Sequence, residues 1–219
     1  IRNATLLGLT LVLFMQMAMA QAENPLQIAD EYLRANFTKL ELTQQDVSDY
    51  VLSSKAVSKH NRLTHVYLQQ TYNDIPVFNA ILNLNIKGDG SMLGVGNRFT
   101  SDLANKVNTT SPQISPKAAV EAVRGYFRLG QETQLQLRRE TEEGDYIFEH
   151  RGLAREPIKV KLMFQPIEET VRLAWNVDFY EPTAQHWYIT RVDALTGDIL
   201  DYYDQIIHCE FDEHAFCHL

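Results

Sequence analysis

The last twelve residues, HCEFDEHAFCHL, hold the densest set of side chains able to bind a metal or form a covalent link. His208, Cys209, His214, Cys217 and His218 bring both cysteines and three of the seven histidines into this one stretch. Two thiolates and two imidazoles are ligand types that tetrahedral zinc prefers. The same spacing permits a Cys209 to Cys217 disulfide, which an oxidising compartment favours, and it equally leaves these groups for partners outside the chain. Sequence alone keeps all three readings open.

Elsewhere the sequence offers little chemistry. It contains no HExxH, GxSxG, Walker loop or GxGxxG, the common signatures of zinc, serine and nucleotide sites. His60, His65, His150 and His186 are scattered and read as strand-edge or surface residues. Glu140, Glu142, Glu143, Asp145 and the pair Glu168-Glu169 read as turn and solvated-face charges, and spacing pairs no general acid with a base. This chain is predicted to be non-catalytic.

The N-terminus sets the compartment. Residues 1–20 carry one charge, Arg2, then an apolar core from Leu6 to about Met19 that closes on Ala18-Met19-Ala20, the small-x-small pattern cut by signal peptidases, here before Gln21. That core has the length of a signal peptide rather than of the roughly 20 apolar residues of a membrane span. The first residue is Ile, so the extreme N-terminus is expected to be missing. Formal net charge is −8, and removal of Arg2 makes the remainder more acidic. An acidic surface argues against nucleic acid or anionic membrane as partner.

The remainder states one pattern twice. Asn24-Pro25 is a capping side chain followed by Pro at the first helical position, and Leu26, Ala29, Leu33 and Phe37 recur at helical spacing. Thr43 with Asp46 suits a capped turn. The runs YVLSSKAV, THVYLQQTY, PVFNAILNLNI and MLGVGNRF then read as strands separated by turn signals. After the linker NKVNTTSPQ, Ser115-Pro116 repeats the cap and the proline. Ala119, Ala122, Val123, Tyr126 and Phe127 form an apolar face, Gly130 suits the helix end, and DYIFEH, IKVKLMF, TVRLAWNVDFY, HWYITRVDA and DILDYYD read as strands. Alternation places Ala80, Leu82, Leu84 and Ile86 on one buried face, with Asn83, Asn85 and Lys87 on the wet one. The predicted fold is α+β: two small subdomains, each a helix packed on an antiparallel meander.

A resemblance sharpens this reading. HVYLQQTYNDIPVFNAILNLNI is similar to the fungalysin/thermolysin propeptide motif, carried here by Gln69, Gln70, Tyr72, Asn73, Ile75, Pro76 and Val77. LAWNVDFYEPTAQHWYITRVDALTGDILDYYD resembles the end of a PepSY-like module, a Trp-containing strand followed by Val-Asp-Ala-x-Thr-Gly-x-Ile-Leu. Together, behind a signal peptide, they resemble the pro-region of secreted zinc metallopeptidases of the fungalysin family. Asp74 stands where the family often has Gly, a replacement that suits a turn.

The resemblance implies a cystatin/PepSY-like fold divided into a propeptide-motif domain over 21–110, a PepSY-like domain over 111–207 and a tail, 208–219, at the junction to a peptidase domain that is missing here. It also implies a secreted chain with no cofactor of its own, zinc in the missing peptidase, a cognate metallopeptidase domain in cis as partner, and a role as intramolecular chaperone and inhibitor until cut away. A stand-alone binding or inhibitor module and a small metal-binding protein acting through the tail are the alternatives. Arg138-Arg139 reads either as charged decoration or as a protease site, and Asn36-Phe37-Thr38 and Asn108-Thr109-Thr110 match the glycosylation sequon.

Overall fold

The structure, a computed structural model, describes residues 24–129, 135–149 and 152–207. Helix α1 (Pro25–Asn36) starts where the sequence caps it: the Leu26 amide donates to Asn24 Oδ1 at 3.2 Å, and Pro25 occupies the first turn, where its missing N–H costs no hydrogen bond. Its Ala29 and Leu33 are buried. On its outer face Asp30 pairs with Arg34 and accepts from the Tyr50 hydroxyl at 2.6 Å, which ties the helix to the first strand. The Arg34 bond, followed by the Tyr50 bond, holds the Asp30 carboxyl below its usual range.

Strands β1 (Tyr50–Val57), β2 (Thr64–Tyr72), β3 (Ile75–Ile86) and β4 (Met92–Asn97) form an antiparallel meander. A short helix α2 (Leu103–Lys106) and helix α3 (Pro116–Phe127) follow. The Ala118 amide donates to the Ser115 hydroxyl at 3.1 Å, so the second predicted cap also forms. Then come β5 (Leu137–Glu140), β6 (Tyr146–Phe148), β7 (Ile158–Ile167), β8 (Thr170–Tyr180), β9 (Trp187–Asp193) and β10 (Ile199–Asp204). α3 ends with Arg128 in the left-handed region at φ 55°, which does the work expected of Gly130; that glycine lies outside the described residues.

The two meanders share one ten-stranded sheet, in the order β1-β2-β3-β7-β8-β9-β10, with β4 beside β3 and the β5–β6 hairpin on β7. Among the described strands they are joined by the parallel pairing of β3 with β7, Val77 opposite Phe164. Beneath the sheet are two cores. Leu82, Leu84 and Ile86 of β3 meet Val66, Leu68, Ala29 and Leu33 in the first, while Ala119, Val120 and Val123 of α3 meet Leu173, Trp175, Val177 and Phe179 in the second. Ala80, Leu82, Leu84 and Ile86 are all buried in alternation as expected, but Ala80 packs, with Val77, in the second core rather than the first. Val77 falls out of phase with that face because Asn79, at φ 61°, breaks the pleat between it and Ala80.

The predicted linker is bonded into the second half. Val107 bridges Val171, the Asn108 amide donates to the Val171 carbonyl, and Asn108 Oδ1 accepts from the Leu173 amide at 2.9 Å. Further on, the amides of Gln113 and Ile114 donate to the Ala194 carbonyl, and Trp175 Nε1 donates to the Ile114 carbonyl at 3.0 Å.

The PepSY-like stretch closes as a turn between β9 and β10. Asp193 Oδ1 accepts from the amides of Leu195 (2.8 Å) and Thr196 (3.0 Å), and Gly197 takes φ 86°. At the far end of β10, burial pushes the Asp204 carboxyl up, but the donors around it win. The amides of Trp187 and Ile206 and the His186 ring hold it below the ordinary 3.8. A carboxyl depressed in the folded state contributes stability above its unfolded pKa and loses that contribution as pH falls through the folded one. Thermal unfolding of Asp204→Asn is therefore expected to fall below that of the native chain at neutral pH, and the gap to narrow at about pH 3. An equal gap at both pH values would contradict the assignment.

Candidate functional site

The propeptide-motif residues converge on the joint between the two meanders. Across the β2–β3 hairpin the ladder jumps from Gln69 opposite Ile81 to Thr71 opposite Pro76, so residues 77–80 of β3 face only Gln70. Their backbone groups need other partners, because a buried carbonyl without one costs about 1 to 3 kcal/mol. Gln69 supplies them: its side-chain amide donates to the carbonyls of Val77 at 2.6 Å and Ala80 at 3.0 Å, as well as to that of Gln70. Released from β2, Val77 pairs with Phe164 of β7.

Gln70 points into the fold and is fully buried. Its Nε2 donates to the Thr100 carbonyl at 3.0 Å and its Oε1 accepts from the Thr100 amide at 2.7 Å, which clamps the chain that leaves β4. Thr71, also buried, donates through its hydroxyl to Asp49. Tyr72 sets its ring edge-on to Phe164, 6.0 Å between centroids. The hairpin turns through Asn73 and Asp74 at φ 49° and 63°, a two-residue turn with both central residues left-handed. Asp74 thus adopts the geometry for which glycine is the commoner choice. Ile75 and Pro76 are half-buried where the strand resumes, and Pro76 falls where β3 leaves its ladder with β2.

Two clefts flank this joint. One, of about 570 Å³, runs between the first meander (Val51 of β1, Ile75 and Pro76 of β3) and the second half (Gly144, Lys161, Leu162). The other, of about 340 Å³, is lined by Phe78, Asn79, Arg98, Thr100, Gln165 and Pro166. Behind it Arg191 is buried, with Nε donating to Gln165 Oε1 at 3.2 Å, NH2 pairing with Asp201, and the guanidinium 4.3 Å from the Phe78 ring. A desolvated cation over an aromatic face is held by the ring quadrupole as well as by its carboxylate. Sequence reasoning named neither Arg191 nor Asn79, Thr100 or Phe164; the local signal is an arginine within the largely apolar and aromatic run WYITRV.

Of the other sequence-predicted residues, His65 contacts Asn85 Oδ1 across the wet face of β2 and β3 at 2.5 Å, and His186 contacts Asp204 at 2.6 Å. Neither belongs to the joint. The leader residues Ala18, Ala20 and Gln21 and the tail residues His208, Cys209, His214, Cys217 and His218 lie outside the described residues. Among the described residues no group of three or more His, Cys, Asp or Glu stands close enough to hold a metal ion. The side chains of the joint hold backbone groups in place and leave two clefts beside it.

Comparison with known proteins bears on the same segment. The family model described as Fungalysin/Thermolysin Propeptide Motif matches residues 48–99, the whole of the meander that carries the glutamine pair. This segment is thus similar to a propeptide motif of fungalysin- and thermolysin-type enzymes. Among curated relatives, the chain is 35% identical over 147 residues to the extracellular metalloproteinase mep of Aspergillus niger, covering 64% of this chain and 22% of that protein. It is 27% identical over 151 residues to extracellular metalloproteinase 10 of Coccidioides posadasii, covering 68% of this chain and 24% of that protein. To bacillolysin of Brevibacillus brevis it is 25% identical over 170 residues, covering 75% of this chain and 29% of that protein. The chain thus spans roughly a quarter of the length of the curated relatives it matches.

Proposed function

We propose that this chain is the pro-region of a secreted zinc metallopeptidase, assisting the folding of its cognate peptidase domain and blocking that domain until it is cut away. One observation carries the reading: the matched segment 48–99 has its signature residues at the joint that sets one meander against the other. A pro-region that templates or covers a partner must hold a fixed shape, and the Gln69 and Gln70 amides fix this one. In this reading residues 1–20 direct export, 21–110 and 111–207 are the two modules, and 208–219 lead into the peptidase, whose zinc is held by that domain. In cis, a tether supplies an effective concentration near millimolar for a short linker, so modest contacts suffice to keep an enzyme shut, and cleavage removes that advantage. The acidic balance suits a basic or metal-bearing partner surface.

The test is titration of purified Gln21 to Leu219 into a metalloproteinase of the matched fungal type, preferably the cognate one, with peptide hydrolysis as the readout. Saturable inhibition at micromolar or tighter affinity is expected. A folded chain that leaves its cognate enzyme fully active would overturn the inhibitory role.

A further inference from the structure

Arg138-Arg139 is the one place in the sequence where two basic residues adjoin. The structure places the pair in β5, four residues whose side chains are all exposed. Among the described strands β5 pairs with β6 and no other, at the end of the sheet's side branch on β7. The pairing is broken by a register shift between Leu137 and Arg139. Arg138 Nε lies 3.9 Å from Glu149, a loose solvent-exposed pair that restrains it little. The residues that anchor this hairpin are its neighbours Leu135, Ile147 and Phe148, all buried. Peeling β5 away therefore breaks backbone hydrogen bonds but empties no core, which puts it at the low end of local stability.

These are the requirements of a proteolytic substrate. Enzymes that cleave peptides bind them as an extended strand added along a free edge, and two successive guanidiniums fit S1 and S2 pockets lined with carboxylates. We propose that the Arg139–Glu140 bond is a processing site for a trans-acting endoprotease specific for paired basic residues. In the step, water adds across the peptide C–N bond; Arg139 keeps the new carboxylate and Glu140 becomes a new ammonium terminus.

The position of the cut gives it a consequence. α3 lies before it and β6 to β10 after it, yet Ala119, Val120 and Val123 of α3 are fully buried in the same core as Leu173, Trp175 and Val192. Cleavage turns that helix from a tethered cover into a non-covalent one, and its effective concentration then falls on dilution.

The experiment is limited proteolysis of the folded full chain with a kexin-type serine endoprotease, with the first products identified by mass spectrometry. An early cut giving a new N-terminus at Glu140 is expected. The rate at this bond should fall at least about a hundredfold in Arg139→Gln, because acidic pockets built for a guanidinium are left unpaired. Thermal unfolding of that variant should match the native chain, since the side chain is exposed. A first cut elsewhere, or a folded chain left intact under conditions that cut the urea-unfolded chain at Arg139, would overturn the proposal. Neither result depends on whether the chain inhibits a peptidase.

Discussion

Phe164→Ala is expected to destabilise the chain by about 3 to 5 kcal/mol, the usual cost of truncating a fully buried aromatic side chain. The position makes the loss more than a cavity. Phe164 is fully buried, pairs with Val77 in the parallel contact between β3 and β7, and packs edge-on against Tyr72 of the hairpin. Truncation thus weakens the second core and its grip on the first half at once. Both tryptophans of the chain, Trp175 and Trp187, sit in β8 and β9, so their fluorescence reports the second half. In the native chain the fluorescence and far-UV circular dichroism transitions in urea should coincide, as a cooperative unit requires. In Phe164→Ala the fluorescence transition should move to lower urea and separate from the dichroism, because the first core, with Leu33, Leu68, Leu82 and Leu84 buried, keeps its own packing. Coincident transitions in the variant would mean that the halves are coupled by something other than this contact.

Much of the scaffold is legible in the sequence because it is locally encoded. YVLSSKAV, THVYLQQTY and TVRLAWNVDFY coincide with β1, β2 and β8, and the two long helices, α1 and α3, begin at a capping side chain followed by proline. What sequence misses is decided at a distance. α2 forms four residues of helix because Asp46, more than fifty residues earlier, accepts from the amides of Asp102 at 2.8 Å and Leu103 at 3.0 Å. No local pattern in LANK announces that cap. β5 was invisible because LRRE neither alternates nor is apolar; it is a strand only because β6 offers it an edge.

The joint hides in the same way. A glutamine in a strand reads as a wet-face residue, and Asn79 reads as one more polar position in an alternating run. Only the register break, which leaves the carbonyls of Val77 and Ala80 to the Gln69 side chain, turns them into structural residues. The resemblance to the propeptide motif rests on Gln69 and Gln70 without stating this reason.

That reason makes Gln70 the sharper test. Gln70→Leu preserves volume and removes both bonds to Thr100, leaving that residue's N–H and C=O without their side-chain partner against the fold. At about 1 to 3 kcal/mol for each stranded group, the expected loss is about 2 to 6 kcal/mol, read as a lower urea midpoint. Gln69→Leu should cost less, because its side chain is partly exposed and water can replace some of what the amide supplied. Gln70→Glu separates hydrogen bonding from packing. When protonated, the carboxyl can accept from the Thr100 amide and donate to its carbonyl, as the glutamine does. Once ionised, it is a buried charge facing a carbonyl oxygen. Burial therefore raises its folded pKa above the unfolded value of about 4.3, and the variant loses stability relative to the native chain as pH rises through that raised value. Urea midpoints of the two proteins should lie close together near pH 4 and diverge toward pH 7, where the Glu variant approaches Gln70→Leu. A Glu variant displaced equally at both pH values would show that Gln70 acts by its shape, and the two Thr100 hydrogen bonds would lose their place as the clamp of the joint.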